Sequence, residues 1–575
     1  MRINTSLEVS EKTKKDQGLV TIIMNNNILM IYPESPTTYW SMKHALPFAG
    51  KKAQLPPLGL ITIAAMLPAH YNVKLVDINV SQLTDSDINN AGLILISAMI
   101  VQKESFDDVV KRCKKAGKTI VAGGPYPTTS YKSIEGVDHF VLNEGEITLP
   151  RFLRDFENGS AERIYTDESK PDITGTPVPR FDLLDIDKYY SMVLQFSRGC
   201  PFNCEFCDII EMFGRTPRTK TPEQFIRELD TVYQTGFNGA LFIVDDNFIG
   251  NKAAAKTLLP HIAEWQSAHG YPYRLFTEAS VDLAEDDKLL EMMVRSGFDM
   301  VFIGIETPVE QTLIYMQKPQ NTRIKLIDSV RRIQNAGLEV TAGFILGFDN
   351  DPEDIFDLQI NFIKESGIPM AMVSLLMALP KTQLYRRLIR EDRLLAESSG
   401  NNTHNFYLNY IPAMDKETLV KGYKRVICAI YNPEAFFNRC LKMLRHTPLR
   451  LMARREIGFP ELRALFLSII KQSFSRYGYY YLKYLLFALI KSPRFFPESV
   501  RMAIIGRHFI LMTRSMLKDD RIREKEKKRV MLKEKELAGI MSATNKASAS
   551  SPAMTPMSIR SSSLRLITVH SHDIQ

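Results

Sequence analysis

The chain has 575 residues, of which 45% are hydrophobic and 24% charged, enough to bury a large core and to divide into several domains. Of its six cysteines, Cys200, Cys204 and Cys207 fall together while Cys113, Cys428 and Cys440 are scattered, which excludes a secreted disulfide framework. The net charge of +8 conceals an asymmetry: residues 441–540 hold 23 Lys and Arg against 9 Asp and Glu, an excess of +14, so the rest sums to −6. A basic segment of this kind suits an anionic surface, nucleic acid or phospholipid, or is a solvated helical face.

In chain order, residues 1–23 begin polar and charged, and the apolar stretch Leu19 to Met24 is too short for a signal-peptide core. They are expected to be a disordered or extra tail, and the protein to be cytoplasmic. Residues 24–156 alternate short β-rich runs with helical stretches, the rhythm of a doubly wound, Rossmann-like α/β domain. The strands expected are Ile28–Tyr32, Val73–Asp77, Leu93–Ser97, Thr119–Ala122 and His139–Leu142, with helices such as Gly59–Pro68 and Phe106–Lys115 between them. Residues 157–190 lack sustained periodicity and read as a linker.

From 191 to 390, apolar strands alternate with longer amphipathic helices: Met192–Phe196, Ala240–Val244, Tyr273–Thr277, Met300–Ile305, Val340–Leu346 and Ala371–Met377. Six such units predict a partial (β/α)6 barrel. Residues 391–535 read as a helical, basic domain rich in aromatics, and 536–575, rich in Ser, Ala, Thr and Met, as a disordered tail.

Between the first two barrel units lies Arg198-Gly199-Cys200-Pro201-Phe202-Asn203-Cys204-Glu205-Phe206-Cys207, a C-x3-C-x2-C spacing just after a predicted strand. Thiolates bind iron–sulfur clusters, and three of them leave one iron of a [4Fe–4S] cluster free to chelate the amino and carboxylate groups of a small molecule. The alternatives are a zinc knuckle or three unrelated core cysteines. Zinc usually takes a fourth Cys or His nearby, and the next candidates are as distant as His261 and Cys428.

This triad, with Phe206 before its last cysteine and its place at the end of a first strand, resembles the radical S-adenosylmethionine (SAM) superfamily. The resemblance implies an incomplete barrel that binds SAM across its strand ends, with Cys200, Cys204 and Cys207 as cluster ligands and catalytic residues. Asp245 or Asp246 after the second strand would take the SAM ammonium; Glu278 and Ser280 after the third would reach the ribose hydroxyls; Glu306 after the fourth would sit beside the ligand. For each acid the plainer reading is a surface carboxylate. Gly343 and Gly347 fit either close approach to adenine or strand–helix packing.

The preceding α/β domain resembles cobalamin-binding domains, on Leu55-Pro56-Pro57-Leu58-Gly59-Leu60, Val76-Asp77, Ser97-Ala98-Met99, Gly123-Gly124-Pro125 and Glu144-Gly145-Glu146. The loops around Ser97, Gly123, Gly124, Glu144 and Gly145 would then receive the corrin and its nucleotide tail. The Asp-x-His-x-x-Gly signature that supplies a lower axial histidine elsewhere is absent: neither His44, His70 nor His139 has Asp two residues before it. A flavodoxin-like scaffold without a cofactor is the alternative.

With both cofactors, the resemblance implies methyl transfer to an unactivated carbon: one SAM methylates cob(I)alamin, and a second yields a 5′-deoxyadenosyl radical that abstracts a substrate hydrogen. A reducing donor such as a flavodoxin or ferredoxin is implied. Neither Gly-x-Ser-x-Gly nor a Walker loop is present, against a serine hydrolase or P-loop enzyme. Other radical SAM reactions, such as ring formation or methylthiolation, and a non-enzymatic cobalamin or iron–sulfur sensor stay open.

Residues 24 to about 520 resemble more closely the hopanoid C-2 methylase group, on Asp208-Ile209-Ile210-Glu211-Met212-Phe213-Gly214-Arg215, Val244-Asp245-Asp246-Asn247-Phe248-Ile249 and Tyr431-Asn432-Pro433-Glu434. A large apolar lipid is accordingly the expected substrate, met at a membrane surface. In Tyr477 to Ile490 aromatic and apolar residues alternate with lysine; Lys483 and Lys491 interrupt the run before the roughly 20 apolar residues of a membrane span. Peripheral membrane contact is expected, and nucleic acid is not. The competing reading has these helices packed on the barrel as core.

Overall fold

The computed structural model describes residues 25–401, 403, 406–446, 458–491 and 493–549. The expected N-terminal tail, and the part of the C-terminal tail beyond Ala549, lie outside them. The chain divides into two units, Met1–Met516 and Leu517–Gln575.

Six parallel strands open the first unit: β1 (Asn27–Tyr32), β2 (Asn72–Asp77), β3 (Leu93–Ser97), β4 (Ile120–Gly123), β5 (His139–Val141) and β6 (Ile164–Tyr165), in the order β2-β1-β3-β4-β5-β6. They are near-continuous apolar runs because both faces are covered. Along β1, Leu29 and Ile31 point into one core with Ile94, Ile96 and Ala122. Ile28 and Met30 point into the other, with Leu93, Leu95 and Val121. The order reverses between β1 and β3, and at such a switch point the loops leaving the carboxyl ends part to form a crevice. The stretch read as a linker contributes β6, whose Ile164 and Tyr165 pair with Phe140 and Val141. Two residues are too few for an alternating pattern to register in the sequence.

A second sheet holds β7 (Ser191–Leu194), β10 (Gly239–Ile243), β11 (Tyr273–Ala279), β12 (Phe298–Glu306), β13 (Glu339–Leu346) and β14 (Ala371–Leu375), parallel and in the order β14-β13-β12-β11-β10-β7. Between β7 and β10 sits a small antiparallel pair, β8 (Ser197–Arg198) and β9 (Arg218–Thr219). Strand β11 alternates strictly: Tyr273, Leu275, Thr277 and Ala279 are buried, whereas Arg274, Phe276 and Glu278 retain exposure. A complete (β/α)8 barrel fills its interior with side chains. Here Phe242, Phe276, Met300, Phe302 and Ile345 line an open cavity instead.

Helices Lys416–Ile430, Pro433–His446, Phe459–Ser473, Gly478–Lys491 and Phe496–Ala549 follow. The Tyr431 hydroxyl donates to the carbonyl of Ala371 at 2.6 Å and the Tyr423 hydroxyl to that of Val373 at 3.1 Å, so aromatic hydroxyls satisfy carbonyls of the edge strand β14. Arg439 is buried beside them and donates to the carbonyls of Ile368, Ile430 and Pro369. The helical region and the barrel thus share one core. The second unit is helical through Ala549, so helix replaces the first part of the tail expected from 536, where Ala, Met, Lys and Glu are strong helix formers.

Candidate active site

The three cysteines lie on the loop that β8 and β9 bracket. Gly199 enters it at φ +95°, where a Cβ would meet the Gly214 carbonyl at 2.9 Å, so only glycine fits. Two carboxylates pin the loop. Asp245 accepts from the amides of Phe196 and Ser197 at 2.7 and 2.8 Å and from the Ser197 hydroxyl at 2.7 Å. Glu205 accepts from Arg387, which also binds Asp349 at 2.7 Å.

Burial pushes all three thiols above their usual range, Cys207 with a further push from Asp208. Such thiols become thiolates only against a cation, which the iron of a cluster supplies. Side-chain amides already point at two sulfurs: Asn247 Nδ2 lies 3.8 Å from Cys200 Sγ, and Gln320 Nε2 lies 3.8 Å from Cys204 Sγ. The Lys318 ammonium lowers the Cys204 thiol and pairs with Glu306 at 2.5 Å. Cationic and amide donors around sulfur are what cluster thiolates need. Among the described residues, no group of three or more His, Cys, Asp or Glu is arranged around a single ion. A cube of four irons would bind each thiolate at a different metal.

Behind the loop opens a cavity of about 1420 Å³, larger than the roughly 300–1,000 Å³ of an ordinary small-ligand pocket. Asp208, Asp246 and Glu278 line it. Burial pushes Asp208 up; it takes Asp246 to about 6, against the amide of Gly199 at 3.3 Å, and Glu278 to about 8, helped by Asp246 and Glu306. Three crowded acids with raised affinity for protons form a cradle for a cation, and SAM carries a sulfonium and an ammonium.

The opposite wall comes from the carboxyl ends of the first sheet, Ser97, Gly123, Gly124 and Gly145, with Pro56 and Pro57 and the start of the helix Leu58–Ala65. A Cβ at Gly59 would meet nothing within 4 Å, leaving the wall open to a flat bulky ligand. At Gly124, by contrast, with φ +87°, it would strike Ser97 Oγ at 2.3 Å, so the fold itself demands that glycine; at Gly145 it would meet only the end of the Ile63 side chain. No histidine among the described residues lines the cavity. Its size, apolar walls and open strand ends fit cobalamin.

Three family profiles match the chain: "B12 binding domain" over residues 51–153, "Radical SAM superfamily" over 194–363 and "Domain of unknown function (DUF4070)" over 382–521. An uncharacterized methyltransferase of Synechocystis sp. is 43% identical over 488 residues, covering 84% of this chain and 91% of that protein. Hopanoid C-2 methylase of Rhodopseudomonas palustris is 34% identical over 427 residues, covering 73% and 80%. The chain belongs to the cobalamin-dependent radical SAM methyltransferases. Among solved structures, the cobalamin-dependent radical enzyme OxsB with aqua-cobalamin superposes at a TM-score of 0.56, with 16% identity and coverage of 86% and 80%. The methyltransferase TsrM from Kitasatospora setae superposes at 0.53, with 13% identity and coverage of 83% and 99%. At these identities the likeness is one of fold. The family's cofactors are a [4Fe–4S] cluster, SAM and cobalamin, and the methyltransferase has a matching place for each.

Several residues expected to touch cofactors do other work. Both carboxylate oxygens of Asp245 are spent on the backbone at β8, because the residue follows β10 and turns toward β7 rather than into the cavity. Ser280 bonds with Asn247 and Asp282 and is not part of the cavity wall. Glu306, at φ +65°, folds back onto Lys318. Glu144 lines the cavity, but its oxygens accept from Arg198 at 2.9 Å and from Arg218 at 2.8 and 2.9 Å; Glu146 adds a second contact to Arg198 at 2.8 Å. Its carboxylate therefore locks the first sheet to the hairpin that carries the cysteines.

Sequence reasoning missed Asn247, Lys318, Gln320, Arg198, Arg218 and the site role of Asp208. Arg198 and Asp208 flank the cysteine motif and were within reach of local reading. Lys318 and Gln320 lie in an irregular segment with no pattern to mark them.

Proposed function

We propose that this methyltransferase places a methyl group on an unactivated carbon of a polycyclic lipid of the hopanoid class. The observation that carries the reading is the barrel side of the cavity, where Phe242, Phe276, Met300, Phe302 and Ile345 form an aromatic and aliphatic wall, with Asp246 and Glu278 among its acids and further charges, Glu34, Lys43, Lys51 and Lys52, supplied by the first domain. Phe242 and Phe276 stack at 4.7 Å, and the ring of Trp40, which also lines the cavity, lies 5.3 Å from that of Phe302. A fused-ring hydrocarbon would bury its faces there without stranding a polar group. The hopanoid C-2 methylase relative supports the same class.

When bound, the cluster and SAM supply a radical, and cobalamin supplies the methyl group. The chain's own part is to hold and to exclude. Asp208, Asp246 and Glu278 would orient the cationic end of SAM, Met300 and Phe302 would keep water from the substrate carbon, and Glu144 with Arg198 and Arg218 would fix the distance between the two halves of the cavity. A reduced flavodoxin or ferredoxin would deliver electrons.

The test is anaerobic turnover of reconstituted protein with methyl-deuterated SAM, a reduced flavodoxin and a hopanoid polycycle. Label in the polycycle is expected. SAM consumption with label only in a water-soluble acceptor would overturn the lipid assignment.

A further inference from the structure

Within the region matched as a domain of unknown function, helices Phe459–Ser473 and Gly478–Lys491 form a hairpin whose first helix is inverted in polarity. The face that this helix turns inward is polar: Ser468 and Gln472 are buried, Gln472 Nε2 donates to Ser468 Oγ at 2.9 Å, and the Tyr477 hydroxyl donates to Gln472 Oε1 at 3.2 Å. Ser468 Oγ also lies 3.0 Å from the Tyr481 hydroxyl. The face turned outward is apolar: Phe466 is 64% exposed, Phe474 91%, Leu486 58% and Ile490 64%, with Leu462 and Leu482 between. An ordinary surface helix does the reverse, and an apolar patch of this extent marks an interaction surface. The run Tyr477 to Ile490 thus splits, with Tyr481, Tyr484 and Ala488 in the core while Tyr479, Leu482, Leu486 and Ile490 face out.

We infer that this hairpin docks the enzyme on an anionic lipid bilayer, its outward face seated among the acyl chains and its basic residues at the headgroups. Charge decides between a bilayer and a second copy of the chain. Residues 458–494 carry six Lys and Arg against one Glu, and a symmetric dimer would bring two such surfaces together. An anionic leaflet neutralises them, and exposed Arg463, Lys471, Lys483 and Lys491 are interspersed among the apolar side chains. Length decides how the hairpin sits. At 15 and 14 residues the helices extend about 22 and 21 Å, short of the roughly 30 Å hydrocarbon core. No helix among the described residues is long and apolar enough to cross a membrane. The hairpin therefore lies in the interface.

Its placement joins that surface to the cavity. Lys471 Nζ lies 5.3 Å over the Phe48 ring and Arg463 Nη1 donates to the Phe48 carbonyl, holding the hairpin against the segment whose Leu46 and Pro47 form part of the cavity wall. A docked enzyme would present the cavity mouth near the leaflet. The inference deepens the lipid reading, but docking is read without substrate, so either can fail alone.

The experiment is flotation of the full reconstituted chain with vesicles of phosphatidylcholine containing a quarter phosphatidylglycerol, against phosphatidylcholine alone. Wild type should float with the anionic vesicles and release at high salt. The triple variant Phe466→Ser, Leu486→Ser, Ile490→Ser should lose at least about tenfold in partitioning while keeping its iron content and SAM cleavage in solution. Three results would each overturn the inference: no flotation of wild type, flotation unchanged in a triple variant that keeps its iron, or a wild-type dimer that the same substitutions dissociate. Binding of RNA in preference to vesicles would overturn it as well.

Discussion

Replacing Glu278 with Gln separates what the cavity acids do for the fold from what they do for the ligand. Burial, Asp246 and Glu306 push this carboxyl from 4.5 to about 8. In the ligand-free protein the folded state then binds the proton more tightly than the unfolded chain does. Its contribution to stability is complete below about pH 4.5 and is lost as pH climbs through about 8. At about 1.4 kcal/mol per pH unit the full window is worth at most about 5 kcal/mol; some contact with cavity water reduces that to about 2–4 kcal/mol. SAM reverses the sign, because a cation favours the carboxylate. With about 1% of Glu278 ionised at pH 6 and about half at pH 8, SAM affinity should rise up to about 50-fold across that interval. The amino group of SAM titrates only toward the top of it.

In Glu278→Gln both slopes should flatten, leaving only the Asp246 step near pH 6. Urea unfolding without SAM should find the variant more stable than wild type at pH 8. Equilibrium dialysis with labelled SAM should find it weaker at pH 8 and nearly equal at pH 6. Parallel pH profiles for wild type and variant in dialysis would refute the placement of Glu278 against the cation, and parallel profiles in urea unfolding would refute its raised proton affinity in the ligand-free fold.

Alanine at Cys200, Cys204 or Cys207 should abolish cluster absorbance after reconstitution together with SAM cleavage, while Cys113→Ala and Cys428→Ala retain both; full iron in Cys204→Ala would contradict the ligand assignment. Glu144→Ala strands Arg198 and Arg218 in a joint where their side chains are only 12% and 15% exposed. Breaking a buried pair costs about 3–5 kcal/mol, and urea unfolding should read a loss near the lower end because Glu146 still holds Arg198.

The architecture was legible because its signals are periodic. Each of the eleven strands expected from the sequence was found within about two residues at either end, since a run such as Ile28-Leu29-Met30-Ile31 has no other stable place than a sheet covered on both faces. β6 was missed because two residues carry no period. The hairpin was missed for a different cause: Tyr477 to Ile490 shows its apolar content, but which half faces inward depends on Ser468 and Gln472 of the preceding helix.

The cysteine triad was legible as a motif, and the structure sets it on one loop beside the cavity, whereas the roles of the acids were opaque. Asp245 and Asp246 are neighbours at the end of one strand, and no sequence feature ranks one over the other. Alternation along an extended chain sends them to opposite sides: Asp245 toward the amides of Phe196 and Ser197, Asp246 toward the cavity. The first becomes a strut for the cysteine loop and the second a partner for a cation. Glu144 and Glu306 follow the same logic, since each is an acid at a strand end whose partner is an arginine or lysine many residues away. A carboxylate buried without such a cation must either hold its proton or await a ligand that removes it. Glu278, which has no such side-chain partner among the described residues, is therefore a stronger candidate for SAM contact than the acids already paired.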